Sequence, residues 1–183
     1  MGGVLPLLEK TDWSTIYKIP FKTTPDIRLH SLQFSILHRY IGCNYNLSIW
    51  KIKDSPLCTS CSQVDTVEHF FYYCEEVQVI WSSLRDLNVN ILKSDCQFAV
   101  LEVLFGISST TLLNKVLNLL ILLGKQCIYL TKKCGKNITL KSFINLIKRQ
   151  IQSEMYLISL SRMKNRDCLC ELYTKVMNYY STV

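Results

Sequence analysis

The sequence lacks features that several classes of enzyme require. No two aspartates are adjacent, so the chain has no carboxylate pair of the kind that holds two divalent ions for nucleotidyl transfer. It also has no glycine-rich loop to cradle phosphates, and we find no recognisable polymerase, endonuclease or ribonuclease H motif. These absences predict that the chain is not itself an enzyme and has no small-molecule substrate.

The sequence also has little that would send it to a membrane or out of the cell. Its longest apolar stretch, residues 112–130, is interrupted by polar side chains, whereas a membrane-spanning helix needs about 20 predominantly apolar residues. Residues 1–8 are too short for a signal peptide, and charged residues follow without a small-residue cleavage site. Nine cysteines without a secretory segment favour a reducing compartment. We therefore expect the nucleus or cytoplasm, and no membrane partner.

The sequence has an apolar composition and an uneven distribution of charge between its two halves. With 49% hydrophobic and 11% aromatic residues, the chain can bury a substantial core. Residues 1–110 contain nine Lys/Arg and eleven Asp/Glu, a net charge of −2, whereas residues 111–183 contain twelve and three, a net charge of +9. A basic segment attracts phosphate groups by counterion release, although a solvated helix face would have the same composition. On charge alone, the candidate nucleic-acid contacts are Lys132, Lys133, Lys136, Lys141, Lys148 and Arg149.

The most informative motif is a run of three cysteines and one histidine, Cys58-x2-Cys61-x7-His69-x4-Cys74. The Cys-x2-Cys half has the ligand spacing of zinc sites, and the four residues together form a closed tetrahedral set for Zn²⁺. Such a site leaves no position for water or substrate, so it holds structure and does no chemistry. The alternative is chance proximity among nine cysteines. The others lack a strong ligand spacing and are interpreted as buried or incidental thiols: Cys43, Cys96, Cys127, Cys134, Cys168 and Cys170.

The second half of this motif does not fit a regular helix. His69 and Cys74 are five residues apart, which corresponds to an offset of about 140° around a helix axis. We therefore expect a helix that begins near Asp65 or Thr66, carries His69 in its first turns, and ends or distorts around Cys74. Asp65 and Glu68 have the spacing of a capping box for its start.

The apolar periodicity elsewhere predicts a mainly α protein: an irregular helical domain with a CCHC zinc-binding module, followed by a C-terminal region of long helices. We divide it into a zinc-binding module, residues 1–107, and a basic helical region, residues 108–183. Helices are predicted from Thr24 to Ile41, Glu75 to Leu87, Ser109 to Lys133, Thr139 towards Met163, and within residues 165–183, with caps at Thr24, Ser109, Thr139 and Gly135. Residues 95–107 fit either a strand or a helix.

In the third of these helices, predicted from Ser109 to Lys133, the polar residues recur on one side. Lys115, Asn118, Lys125 and Lys132 are expected to form a single polar stripe, and leucines fill the remaining arc. Several neighbouring elements must then cover the apolar part of this helix.

Several short motifs around the metal ligands occur in a definite order. They are Trp13, Arg28–Phe34, Ile36–Arg39, Trp50-Lys51, Asp54–Cys61, Glu68–Cys74 and Trp81. This order resembles the zinc-binding segment at the C-terminal end of LINE-type, non-LTR retrotransposon reverse transcriptases. Residues 119–125 and the pair Ile128-Tyr129 resemble the helical tail that follows, so the likeness covers about Trp13 to Met163.

The resemblance implies a non-catalytic accessory module that binds Zn²⁺ and also RNA or DNA during target-primed reverse transcription. His38 and Arg39 would be nucleic-acid contacts beside the metal, and the rest of a retrotransposon polyprotein, an RNA-directed DNA polymerase, would be a partner. The alternative is a zinc-stabilised protein-interaction module with no direct nucleic-acid binding. A hydrolase using Cys43 or Cys61 has no recognisable motif, and metal binding by Cys61 would exclude that nucleophile.

Overall fold

A computed structural model of the chain describes residues 12–108, 111–161 and 165–182. These residues are mainly helical, as predicted. They form no β-strand, and their β-structure is limited to an isolated antiparallel bridge between Leu57 and Val64. The α-helices are α1 (Trp13–Thr23), α2 (Ile27–Leu37), α3 (Asn44–Ile49), α4 (Gln78–Leu87), α5 (Val100–Phe105), α6 (Leu112–Lys133), α7 (Leu140–Leu160) and α8 (Arg166–Thr182). Two π-helical turns, His69–Tyr73 and Asn88–Leu92, and a 3-10 turn, Glu75–Val77, complete the described helical segments.

The helix predicted from Thr24 to Ile41 is shorter at both ends. Asp26, not Thr24, caps α2, because its carboxylate accepts a hydrogen bond from the Arg28 N–H at 2.9 Å. The Thr24 hydroxyl donates instead to the buried carboxylate of Glu154 on α7. The helix ends at Leu37 because Arg39 has a left-handed backbone with φ of 56°.

The long helix α6 is central to the fold and packs against α1, α2, α7 and α8. Its cap is Thr111, whose hydroxyl accepts from the Asn114 N–H at 3.2 Å; the predicted cap, Ser109, lies outside the described residues. Gly135 follows its end with φ of 62°, as predicted, and its N–H donates to the Lys132 carbonyl at 3.1 Å. By length and composition α6 could span a membrane, but 72% of its most apolar window is buried inside the protein.

Two members of the polar stripe predicted on α6 are buried against other elements. Asn118 and Lys125 are only 3% and 1% exposed. Asn118 exchanges hydrogen bonds with the backbone of Ile107, at 2.8 and 3.0 Å. Lys125 donates to the Gln33 side chain and, at 3.5 Å, to the Leu104 carbonyl. These residues connect α6 to α2 and to the end of α5.

The remaining elements largely follow the predicted pattern. The 3-10 turn and α4 together span the helix predicted from Glu75 to Leu87. The ambiguous stretch 95–107 contains the short helix α5, which ends at Gly106 with φ of 86°. Thr139 caps α7 as predicted, while Met163, where that helix was expected to end, lies outside the described residues. Helix α8 confirms the helix predicted within residues 165–183.

One contiguous cluster of buried apolar residues runs from α2 to α8. It includes Leu29, Trp81, Leu120, Phe143 and Tyr180. The division into two regions at residues 107 and 108 stays a prediction. The core cluster contains residues from both sides of this boundary. The metal-ligand motif lies at one edge of this core, where α6 ends.

Candidate metal centre

The first two cysteines lie on a tight turn that the backbone itself closes. The Cys58 N–H donates to the Gln63 carbonyl at 2.7 Å, and the Ser62 N–H donates to the Cys58 carbonyl at 3.0 Å. The bridge between Leu57 and Val64 holds the two ends of this turn together. Cys58 and Cys61 are therefore presented from one rigid loop.

A π-helical turn carries the other two ligand candidates. In it the Cys74 N–H donates to the His69 carbonyl, five residues earlier, at 3.0 Å. The wider turn returns Cys74 to the side of His69, which a regular helix of 3.6 residues per turn cannot do. The expected distortion before Cys74 is confirmed, and its form is this π-turn.

The start of that segment differs from the predicted capping box of Asp65 and Glu68. The helical turn begins at Val67, and the Thr66 hydroxyl accepts from the His69 N–H at 3.2 Å. The Asp65 carboxylate accepts instead from the Asn44 N–H at 2.8 Å, and Glu68 forms an ion pair with Arg39. Both carboxylates thus fix α2 and α3 to the metal-ligand segment.

The four ligand atoms converge on a common centre. The Sγ atoms of Cys58, Cys61 and Cys74 and a ring nitrogen of His69 all lie within 4.8 Å of one another. The Cys58 and Cys74 sulfurs are 3.9 Å apart, and the Cys61 sulfur is 3.3 Å from His69 Nε2. A regular tetrahedron with zinc–sulfur bonds of 2.3 Å and zinc–nitrogen bonds of 2.0–2.1 Å has edges of about 3.8 and about 3.6 Å. The residues therefore fit a tetrahedral ion.

The protonation of these groups depends on their surroundings. Burial raises the pKa of the Cys74 thiol to about 11, and burial lowers the pKa of His69, which favours the neutral imidazole that binds metals. Burial opposes ionisation of Cys58 too, but backbone N–H groups of Ser60 and Cys61 donate to it and bring the pKa of its thiol below the usual value. A bound cation would have to displace the remaining thiol protons.

Lys132 points towards this cluster from the last turn of α6. Its Nζ atom is buried without a hydrogen-bond partner in the described part of the chain, and it lies 4.6 Å from the centre of the Phe70 ring. Its charge lowers the pKa values of both Cys58 and Cys74. Three thiolates, a neutral imidazole and Zn²⁺ carry a net charge of about −1. The unpaired ammonium therefore faces a centre that becomes anionic when zinc is bound.

The two contacts suggested by the resemblance are occupied within the fold. The Nε2 atom of His38 lies 3.2 Å from the Tyr17 hydroxyl, and its ring lies 4.1 Å from that of Phe34. Arg39 pairs with Glu68, next to His69, although its side chain is still 53% exposed. Arg39 thus lies next to the metal cluster, and the structure gives both residues a structural partner.

The candidate basic contacts are distributed over two surfaces. Lys132, Lys133 and Lys136 line a cavity of about 430 Å³ that also includes Cys58. Lys133 and Lys136 are exposed, whereas the Lys132 ammonium is not. On α7, Arg149 lines a second cavity, of about 540 Å³, and Lys141 and Lys148 belong to the same helix.

Sequence reasoning assigned no binding role to three residues on or beside these surfaces. Lys53 lines the first cavity, Tyr40 lines the second, and Trp50 stacks against Tyr40 with ring centres 5.2 Å apart. The order of motifs singled out Trp50 and Lys51 but not the exposure of their neighbours. Burial depends on contacts between distant segments, so the sequence pattern could not reveal it.

The other cysteines do not belong to this cluster. Among the described residues it is the one group of side chains that could hold a metal ion. Cys43, Cys96 and Cys127 are buried, and burial raises the pKa of each thiol, to about 11 for Cys96. Cys134 and Cys168 are exposed. Buried thiols with raised pKa values are poor nucleophiles, which argues against Cys43 as a catalytic group.

Comparison of the chain with protein-family models, curated proteins and solved structures finds no match. The class of protein is therefore defined by fold and site alone. It is a mainly helical protein in which three thiols and one imidazole lie close enough together to bind a metal ion.

Proposed function

We propose that this chain is a non-catalytic, zinc-binding module of a LINE-type reverse transcriptase, and that it binds RNA or DNA during target-primed reverse transcription. The observation that carries the proposal is that the ligand atoms of Cys58, Cys61, His69 and Cys74 lie within 4.8 Å of one another, with two of the separations close to the edges of a tetrahedral zinc site. The order of motifs around these ligands supports the family assignment. The rest of the polyprotein is the expected partner.

Zinc is the metal that these ligands favour. Three thiolates and one imidazole are soft-to-borderline donors, and a tetrahedral set of this kind is typical of structural zinc sites. With four protein ligands the ion has no open position, so it supplies no Lewis acid to a substrate. Its role would be to hold the Cys58–Cys61 turn against the π-turn and the start of α4. The module would then be a scaffold without its own reaction.

Nucleic-acid binding is supported by the basic surface next to this scaffold. Lys133, the last residue of α6, and Lys136, just beyond it, are exposed beside the turn that carries Cys58. Lys141 and Arg149 are exposed on α7. Contacts from such residues to the phosphate backbone give affinity with little sequence preference, and each neutralised phosphate steepens the dependence on salt.

The alternative, a protein-interaction module, has one observation in its favour. Apolar side chains around the metal turn are exposed: Ile49, Ile52, Leu57 and Val64 are 42–67% accessible. A partner protein could cover this patch while the basic residues meet acidic groups. Affinity for an RNA oligonucleotide, titrated from low to high salt, separates the two. Affinity that falls steeply with salt supports nucleic-acid binding, and absence of binding at low salt favours the alternative.

Metal content tests the ligand assignment directly. We expect the purified chain to contain zinc in a one-to-one ratio, as measured by native mass spectrometry. Cys58→Ser should lose most of it, because the oxygen of serine is a weak zinc ligand at neutral pH. Cys134→Ser, which changes an exposed thiol at the end of α6, is the matched control. Unchanged zinc in Cys58→Ser would contradict the assignment.

A further inference from the structure

Two depressions lie on either side of Tyr129 on α6. One, of about 430 Å³, lies beside the metal turn, and the other, of about 540 Å³, lies between α2, α6 and α7. Tyr129 lines both, and the consecutive residues Ile41 and Gly42 line one each. The two depressions therefore adjoin along the surface, and each has the size of a small-ligand pocket.

The charge along these depressions is predominantly positive. Lys53, Lys133 and Lys136 are exposed in the first. Its two acidic members are less accessible: Asp65 is buried and accepts from the Asn44 N–H, and Glu76 is half-buried.

The second depression has two arginines. Arg28 is neutralised by Asp26 at 2.7 Å, but Arg149 forms no ion pair within the described ranges. Along the two depressions, Lys53, Lys133, Lys136 and Arg149 thus form no ion pair with a described residue, although Lys53 donates a hydrogen bond to Asn44 and Lys133 lies over the Tyr129 ring.

Aromatic rings lie beside this path. Tyr40 is 73% exposed and Trp50 is 40% exposed, and their rings contact each other with centres 5.2 Å apart. Tyr40 lines the second depression, and Lys53 in the first is three residues from Trp50. Large rings left open to water next to unpaired cations are the arrangement with which proteins bind unpaired bases and their phosphates.

We propose that the two depressions form one groove for single-stranded nucleic acid. Bases stack on Tyr40 and Trp50, while Lys53, Lys133, Lys136 and Arg149 contact the phosphates. A duplex keeps its base faces stacked internally, so it can use the cations of this groove but not the rings. The inference rests on the proposed function and adds the strand state and the position of the site.

The first test compares a 12-nucleotide single strand with its duplex by fluorescence anisotropy, on the zinc-loaded chain. Tyr40→Ala and Trp50→Ala should each weaken binding of the single strand by roughly 5- to 150-fold, the value of one lost base stack. Binding of the duplex should change little. Tyr156→Ala, which removes a 65% exposed tyrosine elsewhere on α7, is the matched control.

The second measurement uses Trp50 as a probe. Of the other two tryptophans, Trp81 is fully buried and Trp13 is half-buried on α1 and lines neither depression, so quenching of tryptophan emission on binding should come chiefly from Trp50. Trp50→Phe should lose most of the quenching but keep most of the affinity, since phenylalanine still offers a ring. Circular dichroism and zinc content confirm that each variant is folded.

The outcomes separate this inference from the function on which it rests. If single strand and duplex bind equally, or if Tyr40→Ala and Trp50→Ala bind like the unaltered chain, the groove is wrong while salt-dependent binding stands. If an acidic peptide displaced the labelled strand as effectively as unlabelled single strand does, the groove proposal would also be wrong. If neither nucleic acid binds at low salt, both proposals fail.

Discussion

At the scale of single residues, the least expected side chains are the two lysines that α6 directs inwards. Lys132 ends in an ammonium with no hydrogen-bond partner in the described structure, close to Cys58 and Cys74. Lys125 ends against Gln33 and Leu104. Sequence reasoning placed both on the polar stripe of α6 and, on charge alone, named Lys132 as a contact to nucleic acid.

Lys132→Met should weaken zinc binding. The variant keeps the apolar stem over Phe70 but removes the charge that balances an anionic metal centre. Loss of an outer-shell partner typically weakens metal affinity by about 10- to 100-fold. Competition with a chromophoric chelator measures this, with Lys133→Met, the exposed neighbour, as control. Equal affinity in the two variants would show that Lys132 does not stabilise the site.

Lys125 predicts a dependence of stability on pH. Burial lowers the pKa of its ammonium to about 7 in the folded protein, while the unfolded chain keeps an ordinary value near 10.4. Between these values the unfolded state binds more protons, so the free energy of unfolding should rise with pH, by up to about 1.4 kcal/mol per unit. Below about pH 7 both states are protonated and the dependence disappears.

Urea unfolding at several pH values between 7 and 10, at saturating zinc, measures this slope. Lys125→Met should flatten it relative to the unaltered chain, because the titrating group is gone. Lys115→Met, on the same helix but partly exposed, should leave it in place. A slope that persists in Lys125→Met would assign the effect to other groups.

At the scale of elements, α6 and α4 approach each other closely at Gly124. A Cβ atom at Gly124 would lie 2.9 Å from the Trp81 ring, which is fully buried and donates from Nε1 to the Phe71 carbonyl at 2.8 Å. Neither the ring nor the backbone that holds it can move freely. Glycine is required here for space and not for an unusual backbone angle.

Gly124→Ala should therefore destabilise the fold even though alanine is the better helix former by about 1 kcal/mol. Overpacking of a filled core costs about 1–3 kcal/mol, which exceeds that gain. Thermal and urea unfolding measure the difference, with Gly42→Ala as control, because a Cβ there meets its nearest neighbour at an ordinary 3.8 Å. A Gly124→Ala protein as stable as the parent would mean that α4 shifts readily.

The elements also show what the sequence could and could not predict. The spacing of His69 and Cys74 predicted a distortion because a regular helix cannot bring them together, and the structure has a π-turn there. Periodicity placed Asn118 and Lys125 on one side of α6 but could not say which side other segments would cover. Local signals predicted Thr24 as the cap of α2, but its hydroxyl donates to distant Glu154 and Asp26 caps the helix, which the local sequence could not reveal.

At the scale of the whole molecule, the metal centre lies at the edge of one continuous core. The cluster of buried residues extends from α2 to α8 and includes Cys58 and Cys74. In small zinc domains, binding of the ion contributes about 10–16 kcal/mol of folding free energy, and these domains unfold without it. Here much of the core lies between α6, α7 and α8, which contain none of the four ligands, so we expect a smaller effect.

Removal of zinc by a chelator should lower the unfolding temperature while most helical signal remains at 20–25 °C. Circular dichroism and hydrogen exchange check this, and exchange should increase first in the Cys58–Cys61 turn and the π-turn. Because the Cys74 thiol is protonated at neutral pH without an ion, reloading should release protons, measurable by calorimetry in buffers of different ionisation enthalpy. Complete unfolding on chelation would show that the core depends on the metal.

The position of Lys132 has a consequence for the surface next to it. An emptied site would leave the Lys132 ammonium enclosed at the end of α6 without the anionic metal centre opposite it, and that helix end would then be drawn towards water. Lys133 and Lys136 follow directly along the chain, so they would move with it. If the chain binds nucleic acid as proposed, its affinity for phosphate would depend on metal loading, and a chain short of zinc would lose that affinity before it lost its helices.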